Sequence, residues 1–148
     1  MKTCLVGCGG IAAVHGSVLT SDIDTEFVAA ADIKPEKAQT YAENFHTKPY
    51  PSLESMLEAE KPDVLHICTP HYLHVPMAIY SLERNINVFM EKPPAISFDQ
   101  LEELKKAAAK SDAQLGFCYQ NRYNASIRAA KDLIDSGKAG KVLGARAF

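Results

Sequence analysis

The sequence has no basic stripe, no long apolar run and no paired-cysteine motif, and each absence excludes a class of protein. Its 16 lysine and arginine residues against 18 aspartate and glutamate residues give a net charge of −2 at pH 7. Lys105-Lys106 is only a short basic pair, so no nucleic acid is expected as a partner. No apolar run approaches the roughly 20 residues that span a bilayer, and the N-terminus lacks the layout of a signal peptide. These absences predict a cytoplasmic protein with no membrane partner.

The four cysteines are predicted to be reduced residues of the core. Cys4, Cys8, Cys68 and Cys118 all lie in or just after predicted strands, and no CxxC motif occurs. Thiols in a cytosolic protein stay reduced as a rule. With 148 residues, 47% of them hydrophobic and 23% charged, the chain has the size and composition of one ordinary domain.

Strand and helix patterns alternate along the whole chain. Predicted strands cover Thr3–Val6, Glu26–Ala31, Lys48–Tyr50, Asp63–Cys68, Asn87–Met90, Gln114–Cys118 and Val142–Phe148. The helix signals between them are Ile11, Val14 and Val18 at helical spacing, a segment from Pro35 to Asn44, a cap at Ser52, the set Val75, Ala78, Ile79 and Leu82, a capping box of Ser97 and Gln100, and a helix from Asn124 that Gly137 ends. This order, with strands that are apolar on both faces, predicts an α/β fold with a doubly wound parallel sheet, the Rossmann fold.

A dinucleotide-binding loop is predicted directly after the first strand. Gly7-Cys8-Gly9-Gly10-Ile11-Ala12 fits the G-x-G-x-x-G/A pattern between a strand and a helix. Gly7 permits a tight turn, Gly9 leaves room for a pyrophosphate, and Ala12 allows close packing of helix on strand. The phosphates would meet free N–H groups at the start of the helix. A glycine turn that binds no ligand is the alternative.

Asp32, at the end of the second strand, predicts a preference for NAD over NADP. A carboxylate there accepts hydrogen bonds from both hydroxyls of the adenosine ribose and repels a 2′-phosphate. The adjacent Ile33 is expected to line the same cofactor site. Two alternatives stay open: Asp32 could cap the helix that starts near Pro35, and the cation of Lys34 could receive a 2′-phosphate.

Polar residues follow the next strands where these strands end, and parallel strands end at one edge of the sheet. The predicted cofactor-binding residues at these ends are Thr69, Pro70, His71, His74, Glu91, Lys92 and Gln120. Lys92 is also the predicted catalytic residue, because a partly desolvated lysine can exchange a proton with a reacting hydroxyl. Glu91 would accept bonds from the nicotinamide ribose or hold Lys92 in place.

The remaining histidines are not assigned to chemistry. Cys68, His71 and His74 share a three-residue step, but no carboxylate partner is evident, and no metal is predicted. His15 is interpreted as a helix-surface or packing residue, and His66 as a hydrogen-bonded core residue.

These motifs occur together in one known family. The matching motifs are the Gly7–Ala12 segment with His15, Asp32, Pro62-Asp63 ahead of Thr69-Pro70 and His74, Glu91-Lys92-Pro93, Gln120-Asn121-Arg122-Tyr123 and Gly140-Lys141-Val142. With these motifs, the chain resembles the N-terminal half of the glucose–fructose oxidoreductase/inositol dehydrogenase (Gfo/Idh/MocA) family. Three positions depart from the family's usual residues: His71, Pro94 and Ala125.

The resemblance implies a Rossmann domain, oxidation or reduction of a sugar, polyol or similar substrate, and a place for Lys92 in the catalytic group. It also implies that a second α/β substrate domain, with a further catalytic histidine and the contacts of a homo-oligomer, lies outside this chain. Residues 1–120 would then be the dinucleotide-binding domain, and residues 121–148 a connecting helix and the first strand of the missing domain. A non-enzymatic dinucleotide-binding sensor on the same fold is the alternative, and the intact Glu91-Lys92 pair favours the enzyme.

Overall fold

The computed structural model describes residues 1–146, in which strands and helices alternate. The elements are β1 (Lys2–Val6), α1 (Gly10–Ser21), β2 (Glu26–Ala31), α2 (Pro35–Phe45), β3 (Lys48–Tyr50), α3 (Leu53–Glu60), β4 (Val64–Ile67), α4 (His74–Leu82), β5 (Asn87–Glu91), α5 (Phe98–Lys110), β6 (Leu115–Cys118) and α6 (Ala125–Asp135). Short 3₁₀ turns precede α4 and α6. Two compact units divide after Cys118.

The first unit contains one six-stranded sheet in the order β3-β2-β1-β4-β5-β6, and all of its strand pairs are parallel. The chain therefore leaves β1 in one direction to reach β2 and returns to the other side of β1 to form β4. The predicted doubly wound sheet is confirmed. Ligands of such sheets bind where the order reverses, here between the carboxyl ends of β1 and β4.

Helices cover both faces of the sheet, because successive side chains of a strand point to opposite faces. In β1, Cys4 and Val6 belong to a large apolar cluster with residues of α3, α4 and α5. Leu5, between them, belongs to a smaller cluster with residues of α1 and α2. The same alternation holds in β4 and β5, so only the side chains on one face of these strands point toward α1.

The predicted caps at Ser52 and Ser97 are confirmed. The hydroxyl oxygen of each serine accepts the N–H of the residue three positions on, at 3.2 Å in both cases. The second half of the predicted capping box is wrong, since the side chain of Gln100 accepts the N–H of Ile96 and not that of Ser97. The helix itself needs only the serine bond to begin where the sequence predicted.

Helix α1 leaves three of its apolar residues exposed to solvent. Ile11, Val14 and Val18, whose spacing correctly predicts the helix, are 40–61% exposed. The face against the sheet carries Ala12, His15, Gly16 and Leu19. A Cβ at Gly16 would lie 2.5 Å from the Tyr41 hydroxyl, so the close approach of α1 and α2 requires glycine at this position of the buried face.

The second unit begins at Tyr119 and contains α6, which ends before Gly137 at a φ of 73°. Asn124 occupies the N-cap position of α6 but makes no side-chain cap bond. The predicted strand over Val142–Phe148 is wrong for residues 142–146, which are not in a strand. A strand needs a neighbour for its N–H and C=O groups, and these residues pair with none among residues 1–146; Ala147 and Phe148 lie outside the described residues. No helix within residues 1–146 is long and apolar enough to cross a membrane.

Candidate active site

Gly7 brings the end of β1 against the end of β4. Its φ is +92°, and its N–H donates to the Ala31 carbonyl at 2.8 Å. A Cβ on Gly7 would lie 2.8 Å from backbone atoms of Cys68 and Thr69. The turn and the contact between the two strands therefore both require glycine, as the sequence predicted for the turn.

The start of α1 forms an open cradle. Gly9 is the N-cap and has no side-chain cap bond, and a Cβ at Gly9 or Gly10 would meet no heavy atom within 4 Å among the described residues. The first N–H groups of a helix lack intrahelical partners and attract anions. Ala12 is fully buried, and its carbonyl accepts the Tyr41 hydroxyl at 2.7 Å, which fixes the first turn of the helix.

Asp32 connects the glycine loop to the start of α2. One carboxylate oxygen accepts the N–H of Cys8 at 2.9 Å, and the other accepts the N–H of Lys34 at 2.9 Å. The N-cap of α2 is Lys34, and no side chain caps this helix, so the helix-capping alternative for Asp32 is wrong. Asp32 instead holds the turn before α2, and the same carboxylate also lines a cleft. Burial, with Asp32 nearby, raises the pKa of the Cys8 thiol to about 12, so the loop carries no thiolate at neutral pH.

This cleft of about 330 Å³ lies at the carboxyl ends of β1, β2 and β4. Of the predicted cofactor residues it contains Gly7, Gly9, Asp32, Ile33, Thr69 and Pro70. Tyr72, Leu73 and Met77, which the sequence did not single out, form an apolar wall, and Lys34 and Lys37 line the cleft beside Asp32. The cleft thus offers a carboxylate, an apolar wall and open backbone near the start of a helix.

A second pocket, of about 250 Å³, is lined entirely by predicted site residues: Ile11, Thr69, His71, His74, Glu91 and Lys92. Thr69 lines both spaces. Its hydroxyl oxygen is buried and has no hydrogen-bond partner among residues 1–146. A buried hydroxyl without a partner costs free energy, so a polar ligand group at the junction of the two spaces would satisfy it.

His74 lies beneath the second pocket and holds its walls together. The side chain is fully buried. Its Nδ1 lies 2.8 Å from the Pro93 carbonyl, and its Nε2 lies 2.9 Å from the Thr69 carbonyl. His74 therefore ties the end of β4 to the loop after β5, where the Lys92–Pro93 peptide is cis. His71 is exposed at the pocket's edge.

Glu91 and Lys92 differ sharply in environment. Glu91 ends β5 and is 4% exposed, whereas the side chain of Lys92 is half exposed. Glu91 Oε2 lies 4.0 Å from Lys92 Nζ and accepts the Lys92 backbone N–H at 3.3 Å. Burial raises the pKa of Glu91, but hydrogen bonds from His15 and Cys118 outweigh it and leave the pKa below its ordinary value. The pair is therefore a buried carboxylate beside an accessible amine.

His15 contacts the Glu91 carboxylate, and the sequence interpretation missed this contact. It is 7% exposed, and its Nε2 lies 3.1 Å from Glu91 Oε1. His15 is therefore not a helix-surface residue. It is buried, as the packing alternative predicts, but that alternative did not include its contact with the Glu91 carboxylate. The sequence did carry a signal: Ala12 marks the face of α1 that meets the sheet, and His15 follows it three residues later on that face.

Cys68, His71 and His74 do not belong to a group of potential metal ligands within residues 1–146. Among the described residues, the one group of three or more potential ligands is His15, Glu91 and Cys118, with ligand atoms within 4.8 Å of one another. Hydrogen bonds already join Glu91 to both of the other residues. Gln120 starts the 3₁₀ turn of the second unit and is exposed, and its assignment to the cofactor stays a prediction.

Comparison with known proteins decides the family. The sequence model of the Gfo/Idh/MocA oxidoreductase family, described as an NAD-binding Rossmann fold, matches residues 1–119. The chain belongs to the Gfo/Idh/MocA family. Its first unit is therefore an NAD-binding Rossmann domain, as the motifs indicated.

Gfo/Idh/MocA relatives include D-glucoside 3-dehydrogenase of Escherichia coli (strain K12), which is 28% identical over 96% of this chain and 41% of its own length. Inositol 2-dehydrogenase/D-chiro-inositol 3-dehydrogenase of Lacticaseibacillus casei is 28% identical over 99% of this chain and 44% of its own length. Among solved structures, the WlbA dehydrogenase from Bordetella pertussis in complex with NADH and UDP-GlcNAcA matches with a TM-score of 0.91 and 31% identity, over 95% of this chain and 43% of that one. The chain thus spans well under half the length of these relatives.

Proposed function

We propose that this chain is the NAD-binding part of an oxidoreductase that transfers a hydride between NAD and a secondary alcohol or carbonyl of a sugar, polyol or similar substrate. The observation that carries the proposal is the meeting of two spaces at Thr69. One contains the Asp32 carboxylate and the glycine loop, and the other contains Glu91 and Lys92. A dinucleotide has two ends, and the site has a separate space for each.

The residues present fit a dinucleotide. The open backbone at Gly9 and Gly10 suits a pyrophosphate at the start of α1. The Asp32 carboxylate, which lines the cleft, suits the two ribose hydroxyls of NAD and disfavours a 2′-phosphate. The buried Thr69 hydroxyl suits a polar group at the junction. Lys34 and Lys37 also line the cleft, and their cations would attract a 2′-phosphate. A preference for NAD therefore requires that repulsion by the Asp32 carboxylate outweigh this attraction.

The proposed chemistry divides between cofactor and chain. When bound, the nicotinamide supplies or accepts the hydride. Lys92 Nζ, on the wall of the second pocket, exchanges the proton of the substrate hydroxyl. Glu91, held as a carboxylate 4.0 Å from that amine, orients it and balances its charge. His74 acts on this site only through the backbone carbonyls that it holds.

The substrate class rests on the relatives, which include dehydrogenases of a glucoside and of inositols. A polyhydroxylated substrate matches the second pocket, which offers a threonine, a histidine and a lysine to hydroxyl groups. The chain covers less than half of these relatives, so activity is proposed for the full-length protein that contains it.

The test is turnover of a sugar and polyol panel by the full-length protein with NAD. At least one member should yield NADH, and Lys92→Ala should lower kcat by about 10²-fold, the usual scale for a positioned acid or base. The dissociation constant of NADH should stay within about threefold. Lys106→Ala, at an exposed lysine of α5, is the matched control. Wild-type kcat in the Lys92 variant would refute the role of Lys92, and NADH binding without turnover of any member would refute the substrate class.

A further inference from the structure

One buried chain of hydrogen bonds links helix α1 to the Glu91-Lys92 pair. His15 Nε2 lies 3.1 Å from Glu91 Oε1, and both side chains are only 6% exposed. The other ring nitrogen, His15 Nδ1, lies 3.0 Å from His66 Nδ1. Both nitrogens of His15 are thus engaged by partners from different strands, one in β5 and one in β4.

Strand alternation and the packing of α1 create this arrangement. Ile67 and Met90 face the large apolar cluster of α3, α4 and α5. Their neighbours His66 and Glu91 therefore face the opposite side, where α1 lies. The register of β4 and β5 pairs His66 with Phe89, two residues before Glu91, so His66, Phe89 and Glu91 share the face that α1 covers. The ring of Phe89 contacts both histidine rings, with centroids 5.1 and 6.0 Å away.

The charge of Glu91 decides which atom donates in its bond with His15. An ionised carboxylate only accepts hydrogen bonds, so His15 Nε2 must carry a hydrogen and donate it to Glu91. The bond between His15 Nδ1 and His66 Nδ1 needs a hydrogen on one of these two nitrogens, and either ring can supply it. Burial, together with the nearby His15, lowers the pKa of His66 to about 4. His66 is therefore neutral near pH 7 and carries one ring hydrogen.

These hydrogen bonds fix the orientation of the Glu91 carboxylate. Oε1 is held by His15, and Oε2 faces the Lys92 amine at 4.0 Å. Without the His15 bond, the buried carboxylate would lose a donor that keeps it charged, and its side chain could turn away from Lys92. The same helix that carries His15 begins at the glycine loop, so one rigid element reaches both parts of the site.

We propose that His15 is a positioning residue that fixes the Glu91 carboxylate against Lys92 and so couples the phosphate-binding helix to the proton-transfer lysine. The catalytic consequence rests on the proposed function. The orientation and charge of Glu91 do not depend on it, and they can be measured separately.

The kinetic test uses the full-length protein with three variants. His15→Leu removes the donor, His15→Gln retains an N–H donor, and Val14→Ala changes the exposed neighbour as a control. His15→Leu should lower kcat about 10- to 100-fold, on the scale of a small displacement at a reacting centre, with the NADH dissociation constant within about threefold. His15→Gln should recover most of the loss. An unchanged kcat in His15→Leu, or equal losses in the Leu and Gln variants, would overturn the proposal.

The second readout needs no substrate. Carboxyl ¹³C NMR of this chain follows the titration of Glu91, which Lys92 and Cys118 also face in every variant. His15→Leu should raise the pKa of Glu91, because burial remains while a donor is lost, and His15→Gln should raise it less. An unchanged Glu91 titration in His15→Leu would refute the positioning role even if the protein turns substrate over. The expected NMR shift without turnover of any substrate would instead refute the proposed function alone.

A fourth variant guards against misfolding. His66→Phe removes the second bond of the chain at a half-buried position that already borders Phe89. It should change kcat and the Glu91 titration in the same directions as His15→Leu, but by less. If His15→Leu does not fold, wild-type behaviour of a folded His66→Phe in both readouts would overturn the proposal.

Discussion

Gly7→Ala should destabilise the fold, whereas Gly9→Ala should leave stability intact and weaken NADH binding, although the two glycines belong to one motif. Gly7 has a φ of +92°, and its Cβ would lie 2.8 Å from backbone atoms of Cys68 and Thr69. Gly9 has ordinary extended backbone at a φ of −86°, with open space at its Cβ position. The first glycine is thus required by the protein, and the second by the ligand.

The stability change follows from these geometries. An L-residue at positive φ costs about 1–2 kcal/mol, and overpacking costs about 1–3 kcal/mol more. Gly7→Ala should therefore destabilise the fold by about 2–5 kcal/mol, which is a fall in Tm of about 5–20 °C for a domain of this size. Gly9→Ala should leave stability equal or slightly higher, since alanine restricts the unfolded chain.

The assays are thermal unfolding by circular dichroism and fluorescence titration with NADH. Gly9→Ala should weaken NADH binding at least about tenfold, or about 1.4 kcal/mol, because its methyl group occupies the space assigned to the pyrophosphate. Gly144→Ala, at a glycine with open space around it, is the control for both assays. Wild-type stability of Gly7→Ala would refute the packing argument, and wild-type NADH affinity of Gly9→Ala would refute the assignment of the cradle.

Two further predictions concern acid stability and the activity of the chain alone. Glu60 accepts bonds from the Tyr50 hydroxyl at 2.6 Å and from Lys48 at 2.9 Å, which lower its pKa from 4.5 to about 2. Because the pKa of Glu60 is lower in the folded state, its contribution to stability is complete above about pH 4.5 and is lost as pH falls toward 2. Glu60→Gln should therefore lower the free energy of unfolding by about 2 kcal/mol at pH 7, after allowance for solvent screening. Urea unfolding at pH 7 and pH 3 checks this, and an equal loss at both pH values would contradict it. Residues 1–148 alone should bind NADH yet form none from NAD with inositol or glucose, because the chain covers 41% and 44% of two dehydrogenase relatives. The proposed turnover, which needs a substrate carbon held about 3–3.5 Å from the ring, belongs to the full-length protein, and NADH formation by the chain alone in a spectrophotometric assay would contradict this.

The strands and the edge that bears the site could be predicted from the sequence because their signals are local. The bounds of β2 and β3 match the prediction to the residue. Apolar runs, serine caps and glycines act within a few residues of the chain. Since parallel strands end at one edge, the site followed from the order of the elements, and Thr69, Glu91 and Lys92 do lie together there.

The errors arose where distant contacts decide the outcome. The apolar stripe of Ile11, Val14 and Val18 predicts a helix but not which face is buried, since that depends on how closely α1 approaches α2 and the sheet. His15 was missed for the same reason, because its carboxylate partner is 76 residues away. The alternating pattern after Lys141 resembles a strand, but alternation supplies no neighbour to pair with.

Titration calorimetry of NADH and NADPH into this chain tests the central claim most directly. The account predicts one NADH per chain, tighter binding of NADH than of NADPH, and a smaller difference in Asp32→Ala, whereas Asp99→Ala on the exposed surface of α5 should behave as wild type. At about 100 times its dissociation constant, NADH should also stabilise the fold by about 2.7 kcal/mol. Equal or tighter binding of NADPH by the unmutated chain would contradict the role of Asp32, and binding of neither nucleotide would contradict the account of the site as a whole.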